Sequence, residues 1–285
     1  MLNLNSLYQR IVQVAWNIAF IEEHPEDVLK GCPLHFKLMS HPFTDRWYAD
    51  PFILSVDNTH IDLLAEEYIL KEKKGNIVRL TVKRKDFSLE DREIILHQRF
   101  HVSFPQIIRN KHDFQILPEN TSEGNVSLFD SFGNRKNVLL PFPLHDALFT
   151  SLFGKPQIWG TSNKNMSGNI LNIYEETAAG YRLTHELKFS DNVARNAGDF
   201  FQVGDSIYRP GQICNNLYGE GVCLQGVEQD ASGFHCHEIR RLYPPKPYVG
   251  LHTFNVYDGI IVADLHSIRQ TPISRMLFSL RHHIR

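Results

Sequence analysis

The sequence is poor in cysteine, and the four cysteines that it has are scattered. No two of them form a Cys-x-x-Cys pair. A disulfide framework of the kind that stabilises small secreted domains is therefore excluded. We expect the thiols to stay reduced, which favours a cytoplasmic location. The four cysteines are Cys32, Cys214, Cys223 and Cys236.

Neither sign of charge is in excess, since 30 Lys and Arg stand against 32 Asp and Glu. Proteins that bind a phosphate backbone concentrate basic residues on one surface, so we expect no nucleic acid partner. Long apolar runs are also missing. The run Ile11 to Ile21 is interrupted by Gln13 and Asn17, and no run reaches the roughly 20 apolar residues of a membrane helix. We expect no transmembrane segment and interpret this run as a buried strand.

Common cofactor-binding and catalytic motifs are absent as well. The sequence has no P-loop, no Gly-x-Gly-x-x-Gly after a strand, no Gly-x-Ser-x-Gly and no His-Glu-x-x-His. We therefore expect neither a cofactor nor a resident metal. His235 and His237 form a His-x-His pattern that can chelate zinc. No third ligand is evident, so an exposed strand is the favoured interpretation of this pattern.

The sequence does contain an internal repeat with a period of about 50 residues, which is typical of β-propeller blades. Five segments each comprise a polar residue, an apolar strand, a turn and a second apolar strand that ends in a polar residue. They start near residues 49, 103, 145, 196 and 251. The expected hairpin turns are Asp57-Asn58, Asn110-Lys111, Gly154-Lys155, Gly204-Asp205 and Asp258-Gly259.

These hairpins predict an all-β fold, a five-bladed β-propeller that occupies residues 1–285 as a single domain. A propeller hides its sheet edges by closing the ring. We expect the N-terminal strand Ala15 to Ile21 to close it by pairing with the last blade around Ile260 to Leu265. Two separate sandwiches are the alternative, and the regular repeat argues against them. The basic tail from Thr271 to Arg285 is expected to form a helix on the rim, with a membrane or partner contact as the alternative.

Polar residues mark the ends of the predicted hairpin strands. The start of the first strand and the end of the second lie at one edge of an antiparallel hairpin. If the first strands are innermost, these residues surround one mouth of the axial channel. Candidate catalytic residues are Asp50, Glu119 and Asp146, and candidate substrate-binding residues are Glu67, Arg195, Asn196, Arg209, Gln212, Tyr218 and His252.

The three candidate catalytic carboxylates suit glycosidic chemistry. One carboxyl group can protonate the leaving oxygen while another activates water or an acceptor hydroxyl. On neighbouring inner strands, two of them could lie about 6.5–9.5 Å apart, as an inverting mechanism needs. For Asp50 the alternative is a turn-forming residue before Pro51. For Glu119 it is an exposed strand end.

Arg195 and Arg209 lie at the two ends of the fourth hairpin. A guanidinium group binds carboxylate or phosphate through two parallel hydrogen bonds. The two arginines therefore predict an anionic ligand such as a uronic acid, a sugar phosphate or a nucleotide sugar. The alternative is that they neutralise the neighbouring carboxylates.

A set of motifs together resembles one known family. The motifs are Tyr48-Ala49-Asp50-Pro51-Phe52, Glu66-Glu67, Ser103-Phe104-Pro105, Leu117-Pro118-Glu119, Asp146, Ala194-Arg195-Asn196-Ala197-Gly198, Arg209-Pro210-Gly211-Gln212, Leu217-Tyr218-Gly219 and Gly250-Leu251-His252-Thr253-Phe254-Asn255. From about Trp16 to Asp264 the chain resembles the N-terminal propeller domain of glucosamine inositolphosphorylceramide transferases and its bacterial relatives, a branch of the glycoside hydrolase family 43-like propellers.

The resemblance implies a five-bladed, carbohydrate-active fold. In the wider hydrolase clan, an Asp on blade one acts as base, an Asp on blade two tunes a pKa and a Glu on blade three acts as acid. Asp50 matches the first position, whereas blade two offers Glu119 and blade three offers Asp146. These departures argue against standard arabinanase or xylosidase chemistry.

The leading hypothesis is an enzyme of glycan or polysaccharide biosynthesis that transfers or cleaves a glycosyl unit of an anionic or phosphorylated sugar. The alternative is a non-catalytic module that binds a glycan or nucleotide sugar beside a separate glycosyltransferase partner. A third hypothesis, a scaffold that binds proteins through its rim, is disfavoured by the polar mouth. The expected ligand is in each of the first two cases a carbohydrate or a sugar phosphate.

Overall fold

The computed structural model describes residues 12–111, 113–162 and 168–270. Their strands form five four-stranded antiparallel sheets. Blade 1 contains β3 (Arg46–Val56), β4 (His60–Ile69), β5 (Lys74–Lys83) and β6 (Leu89–Leu96), and blade 2 contains β7 (Ser103–Arg109), β8 (Phe114–Glu119), β9 (Val126–Asp130) and β10 (Arg135–Leu140). Blade 3 contains β11 (Leu144–Thr150), β12 (Gln157–Ser162), β13 (Ile170–Thr177) and β14 (Gly180–Lys188), and blade 4 contains β15 (Phe201–Val203), β16 (Ser206–Ile213), β17 (Gly221–Asp230) and β18 (Gly233–Leu242).

Blade 5 combines the two ends of the described chain. Its order is β19 (Phe254–Tyr257), β20 (Ile260–Gln270), β1 (Val12–Ile21) and β2 (Phe36–Leu38). Strand β1 runs antiparallel to β20, with Ile21 opposite Ile261 and Ala15 opposite Ser267. The predicted five-bladed ring and its closure by the N-terminal strand are therefore confirmed. The predicted tail helix lies outside the described residues.

All five predicted hairpin turns fall between the first two strands of a blade, as expected. The first strand of each predicted hairpin, which is β3, β7, β11, β15 or β19, lies nearest the axis. The repeat did not predict helix α1 (Pro25–Lys30), a short segment between β1 and β2. Pro25 starts it and Gly31, with φ of 95°, ends it. No helix in these described ranges is long and apolar enough to cross a membrane.

Two amide side chains near the axis form hydrogen bonds between blades. Gln106 accepts the Phe149 N–H at 2.7 Å and donates to the Phe149 carbonyl at 2.8 Å and to Asp199 at 3.0 Å. Asn255 accepts the Asp199 N–H at 2.7 Å and donates to the Pro51 carbonyl at 2.8 Å. These bonds join blade 2 to blades 3 and 4, and blade 5 to blades 4 and 1. They satisfy backbone groups that the strand ladders leave open.

Apolar side chains fill the space between the blades. Trp159 is fully buried and packs edge-on against Phe200 and Phe234, with ring centroids 5.1 Å apart in both cases. Phe52 and Phe104 meet in the same way between blades 1 and 2, at 5.0 Å. Edge-to-face pairs of this kind add to the stability that burial of the rings provides. These rings therefore contribute to the packing between neighbouring blades.

The innermost strands of blades 1 to 3 share one backbone irregularity. Asp50, Phe104 and Asp146 have φ of 49°, 46° and 45°, in the left-handed region that non-glycine residues rarely occupy. At each of them the register with the second strand shifts, which is the mark of a β-bulge. A bulge re-aims the side chain of the extra residue. Two of the three residues are candidate catalytic carboxylates. The backbone strain that accompanies their orientation costs about 1–2 kcal/mol per residue.

Candidate functional site

Carboxylates from four blades meet at one end of the axial channel. We call this cluster the mouth; its members are Asp50, Glu66, Glu119, Asp146, Arg195, His252 and Asp264. The side chains of Asp50, Glu66, Asp146 and Asp264 are buried, and that of Glu119 is 10% exposed. So many buried acids cost stability unless they are paired, protonated or functional.

His252 lies between two of the acids. Its Nδ1 is 2.7 Å from Asp264 Oδ1, and its Nε2 is 3.5 Å from Asp50 Oδ1. Asp264 also accepts the backbone N–H groups of Asp50, His252 and Thr253. Although burial opposes it, His252 and these hydrogen bonds lower the pKa of Asp264. The two carboxylates raise the pKa of His252 against the effect of burial.

Asp50 is held less tightly than Asp264. Its Oδ2 accepts the Phe104 N–H of the next blade at 3.0 Å. Burial, together with the charge of Asp264, raises the pKa of Asp50 to about 6, although His252 opposes this. A carboxylate whose pKa lies near neutrality is suited to accept a proton during a reaction and to release it afterwards.

Arg195 bridges two further acids of the mouth, Asp146 and Glu119. Its Nε contacts Asp146 Oδ2, and one terminal nitrogen lies 3.3 Å from Glu119 Oε2. Glu119 also accepts the Asp146 N–H at 2.8 Å and contacts His145. Despite burial, Arg195 and these hydrogen bonds keep the pKa of Glu119 low. Burial and the charge of Glu119 raise the pKa of Asp146 well above its usual value, because one guanidinium cannot neutralise both carboxylates.

Of the two adjacent glutamates that end β4, Glu66 and not Glu67 faces the mouth. Glu67 is fully buried on the opposite face of the strand, where it accepts hydrogen bonds from Tyr48, Arg46 and Arg92. The pKa of Glu66 is raised well above its usual value by burial and then by Asp50 and the other mouth carboxylates. Its Oε1 is buried and has no hydrogen-bond partner in the part of the chain that the structure describes. Glu67 therefore lies outside the mouth, and its choice as a substrate-binding residue stays a prediction.

Arg209 likewise turns away from the mouth. It is fully buried, and it donates to Asn196 Oδ1 at 2.7 Å, to Gln225 Oε1 at 2.5 Å and to the carbonyls of Val193 and Ala194. Burial lowers the pKa of Arg209 to about 10. With its donors used by the protein, Arg209 holds the 193–196 segment in place and is not exposed to a ligand.

Asn196 and Gln212 support the mouth from below. Asn196 is fully buried and donates to the carbonyls of Asp146 and Trp159 at 2.7 and 3.0 Å. Gln212 donates to Asp146 Oδ2 at 2.8 Å and to the Asn196 carbonyl at 2.9 Å. Both are therefore positioning residues for Asp146.

Tyr218 lies at the solvent side of the mouth and is 49% exposed. Its ring meets His252 edge-on at 5.6 Å, and the Arg195 guanidinium lies 5.1 Å from its centroid. Behind His252, Trp16 stacks on the imidazole at 3.9 Å. Tyr218 is thus the candidate binding residue that a ligand arriving from solvent would meet first.

Asp50, His252 and Asp264 are the one group of three acidic, histidine or cysteine side chains in the described ranges whose ligand atoms lie within 4.8 Å of one another. That spacing fits a cation. Both oxygens of Asp264 already accept hydrogen bonds, however, so the group is better described as a hydrogen-bonded acid–histidine–acid chain. His235 of the His-x-His pattern forms hydrogen bonds with two neighbours in its own hairpin, Asp230 and Ser232.

Two solved structures align with most of this chain. The Bacteroides ovatus protein described as xyloglucan PUL GH43B aligns with a TM-score of 0.48 at 10% identity, covering 80% of this chain and 53% of that one. A family 117 glycoside hydrolase of the marine bacterium Zobellia galactanivorans aligns with a TM-score of 0.47 at 12% identity, covering 82% of this chain and 89% of that one.

Plant proteins are similar in sequence. Glucosamine inositolphosphorylceramide transferase 1 of Oryza sativa subsp. indica is 26% identical over 207 residues, which cover 66% of this chain and 27% of the rice protein. The Arabidopsis thaliana protein of that name is 25% identical over 194 residues, which cover 63% of this chain and 25% of the Arabidopsis protein. The chain thus spans about a quarter of the length of these relatives. The family described as glucosamine inositolphosphorylceramide transferase 1, N-terminal, matches residues 35–241, well over half of the chain, and the chain belongs to that family.

Proposed function

We propose that the mouth is a carbohydrate site at which buried carboxylates perform acid–base chemistry on a glycosidic bond, within glycan or polysaccharide biosynthesis in a reducing compartment. The observation that carries the proposal is the division of the acids by their surroundings. Glu119 and Asp264 are ionised by their partners, whereas Asp50, Glu66 and Asp146 have raised pKa values. Pairs of acids with separated pKa values allow one group to donate a proton while another accepts one.

In this proposal Asp50 is the base. It removes a proton from water or from an acceptor hydroxyl, whose oxygen attacks the anomeric carbon. The bond from that carbon to the leaving oxygen breaks, its electron pair stays on the oxygen, and a protonated carboxyl group such as Asp146 supplies the proton. Asp264 and His252 orient Asp50, because His252 contacts both acids.

The balance of acidic and basic side chains in the mouth indicates whether a charged or a neutral sugar fits there. Five acids surround one arginine and one histidine, and Arg195 already contacts both Asp146 and Glu119. An anionic ligand, predicted from Arg195 and Arg209, would have to displace one of these carboxylates from Arg195. Neutral sugars and amino sugars need no such exchange. The family name, which includes glucosamine, agrees with an amino sugar as one candidate.

A non-catalytic sugar-binding module is the second candidate function. It is favoured by the family description, which refers to an N-terminal part of a transferase, and by the quarter of the plant relatives that the chain spans. In that case a separate glycosyltransferase would perform the reaction.

One experiment separates the two functions. The wild-type protein and Asp50→Asn are incubated with neutral disaccharides, amino sugars, sugar phosphates and nucleotide sugars, and products are identified by mass spectrometry while binding is followed by thermal shift. Asp205→Asn, at an exposed turn, is the matched control. Turnover by wild type and by Asp205→Asn but not by Asp50→Asn supports an enzyme. Binding without turnover in all three proteins supports the binding module.

A further inference from the structure

Beside the mouth, blade 1 presents an aromatic pair. Trp47 and Tyr68 are opposite each other in the β3–β4 ladder, and their rings stack with centroids 4.5 Å apart and planes 4° apart. Both are partly exposed. His101, from the segment that enters blade 2, meets Tyr68 at 6.1 Å. We call Trp47, Tyr68 and His101 the shelf.

Strand alternation puts the shelf and Glu66 on the same side of the hairpin. Tyr48 and Glu67 bond to each other on one face, so Trp47, Tyr68 and Glu66 occupy the other. Burial and the charge of Glu66 raise the pKa of Tyr68, which agrees with their proximity. The shelf is therefore continuous with the mouth through Glu66.

The shelf has an unsatisfied polar edge. Glu66 is 4% exposed, and no described residue forms a hydrogen bond with its Oε1. The nearest candidate donor, His101 Nε2, is 3.5 Å away, too far for a good hydrogen bond. Leaving such a buried atom unpaired carries an energetic cost. A ligand hydroxyl or amino group at this point would remove that cost.

His101 presents a defined donor to the same point. The Gly75 N–H donates to His101 Nδ1 at 3.0 Å, so Nδ1 carries no proton and the neutral ring carries it on Nε2. Burial lowers the pKa of His101, which favours this neutral form. One donor and one acceptor therefore lie 3.5 Å apart beside two stacked aromatic rings.

We propose that the shelf and Glu66 form a subsite for one pyranose ring. A pyranose has an apolar face of C–H groups and a rim of hydroxyls, and sugar-sized pockets combine aromatic surface with a few placed polar groups. The stacked rings of Trp47 and Tyr68 pack against the C–H face of the sugar, while Glu66 and His101 bind adjacent hydroxyls or an amino group. This inference rests on the proposed function, because the ring bound here would be part of the substrate of the mouth.

Tryptophan fluorescence tests the subsite directly. Trp16 and Trp159 are 7% and 0% exposed, so Trp47 is the tryptophan most accessible to a ligand. The probes are methyl glucoside, methyl galactoside, methyl xyloside and methyl glucosaminide, with sorbitol as a control that has hydroxyls but no ring. We expect at least one pyranoside, and not sorbitol, to change the fluorescence saturably.

Variants complete the test. Tyr68→Leu keeps an apolar side chain in the half-buried position. It should lower the affinity for that pyranoside about tenfold or more. Phe132→Ala, which removes an aromatic ring that is 82% exposed on blade 2, should leave its affinity unchanged. Trp47→Phe should remove the fluorescence signal while thermal shift still detects binding. No response to any pyranoside, or equal affinity of Tyr68→Leu and wild type, would overturn the subsite.

Failure of the subsite and failure of the proposed function give different results. If the shelf is wrong but the mouth is catalytic, Tyr68→Leu turns over substrate with the wild-type KM, and Asp50→Asn remains inactive. If the shelf is right, Tyr68→Leu raises KM with little change in kcat, since it removes binding energy that is present before the reaction starts. If the mouth has no sugar function, neither variant changes any measured activity, and the inference falls with it.

Discussion

Replacing Arg195 with methionine should destabilise the protein strongly, because the guanidinium joins two acids from different blades. The side chains of Arg195, Glu119 and Asp146 are 11%, 10% and 3% exposed. Removing one partner of a buried ion pair typically costs about 3–5 kcal/mol, since the remaining charge is left unpaired. For a domain of this size that loss corresponds to a fall in Tm of roughly 10 °C.

The matched control is Arg241→Met. Arg241 contacts Asp191 and Glu238, but these side chains are 28%, 37% and 48% exposed. Exposed ion pairs contribute about 0–1 kcal/mol to stability. The free energy of unfolding of this variant should therefore be close to that of the wild type. Urea unfolding followed by circular dichroism gives both free energies of unfolding. If the two variants lost equal stability, the buried bridge would not be holding blades 2, 3 and 4 together. Should Arg195→Met fail to fold, Arg195→Lys provides a milder comparison.

The loss caused by Arg195→Met should depend on pH in a defined direction. In the wild type the pKa of Glu119 is below its unfolded value of about 4.3, so its stabilising contribution is present above that pH and is lost as the pH falls. Without Arg195 the pKa of Glu119 rises above the unfolded value, and its contribution becomes a penalty that acidification relieves. The difference between variant and wild type should therefore shrink between about pH 7 and pH 5. A constant difference would refute this assignment.

Three other changes test the fold and the mouth. Gly75→Ala should lower Tm, because its Cβ would lie 2.4 Å from Glu66 Oε1 and 2.7 Å from the Val102 carbonyl; differential scanning calorimetry measures it. Asp264→Asn should cost about 2–4 kcal/mol in urea unfolding, since an amide replaces an acceptor of several buried N–H groups; a loss under 1 kcal/mol would contradict this. Deleting residues 1–21 should abolish soluble folded protein, because blade 5 loses β1; a folded monomer would refute the closure.

The fold could be predicted from the sequence because each blade repeats the same local pattern. Turn residues such as Asp258-Gly259 mark the centre of each hairpin. The apolar strands on either side of each turn indicate which two strands pair. The closing strand could be predicted for a similar reason, since an apolar run near the N-terminus needs a sheet to bury it. The short helix α1 escaped prediction because six residues carry too little periodicity.

The site could be predicted only in part. Asp50 and Asp146 stand at the same point of two repeats, and both occupy left-handed bulges. Glu66 and Glu67 are neighbours in sequence, and only strand register decides which of them faces the axis. The partners of Glu67, which include Arg92 on β6, come from other strands and leave no local signal.

Arg195 and Arg209 show the same limit. Both are arginines at the ends of the fourth hairpin, yet one contacts acids of the mouth and the other donates to carbonyl and amide oxygens. The acids that Arg195 contacts lie on blades 2 and 3, whereas Arg209 contacts Gln225 of its own blade, and nothing in the sequence around either arginine indicates these partners. The position of Asp264 at the end of the fifth hairpin is visible in the sequence, but its hydrogen bonds are not, since three of its donors are backbone N–H groups.

The most direct test of acid–base chemistry at the mouth is the pH dependence of kcat/KM for a substrate found in the panel above. The pKa of Asp50 is raised to about 6, so kcat/KM should increase as the pH passes through that region and the base loses its proton. Asp50→Asn should lack both this rise and most of the activity. A rate that is independent of pH from about 5 to 8, or one that Asp50→Asn retains, would contradict the assignment of Asp50 as the base.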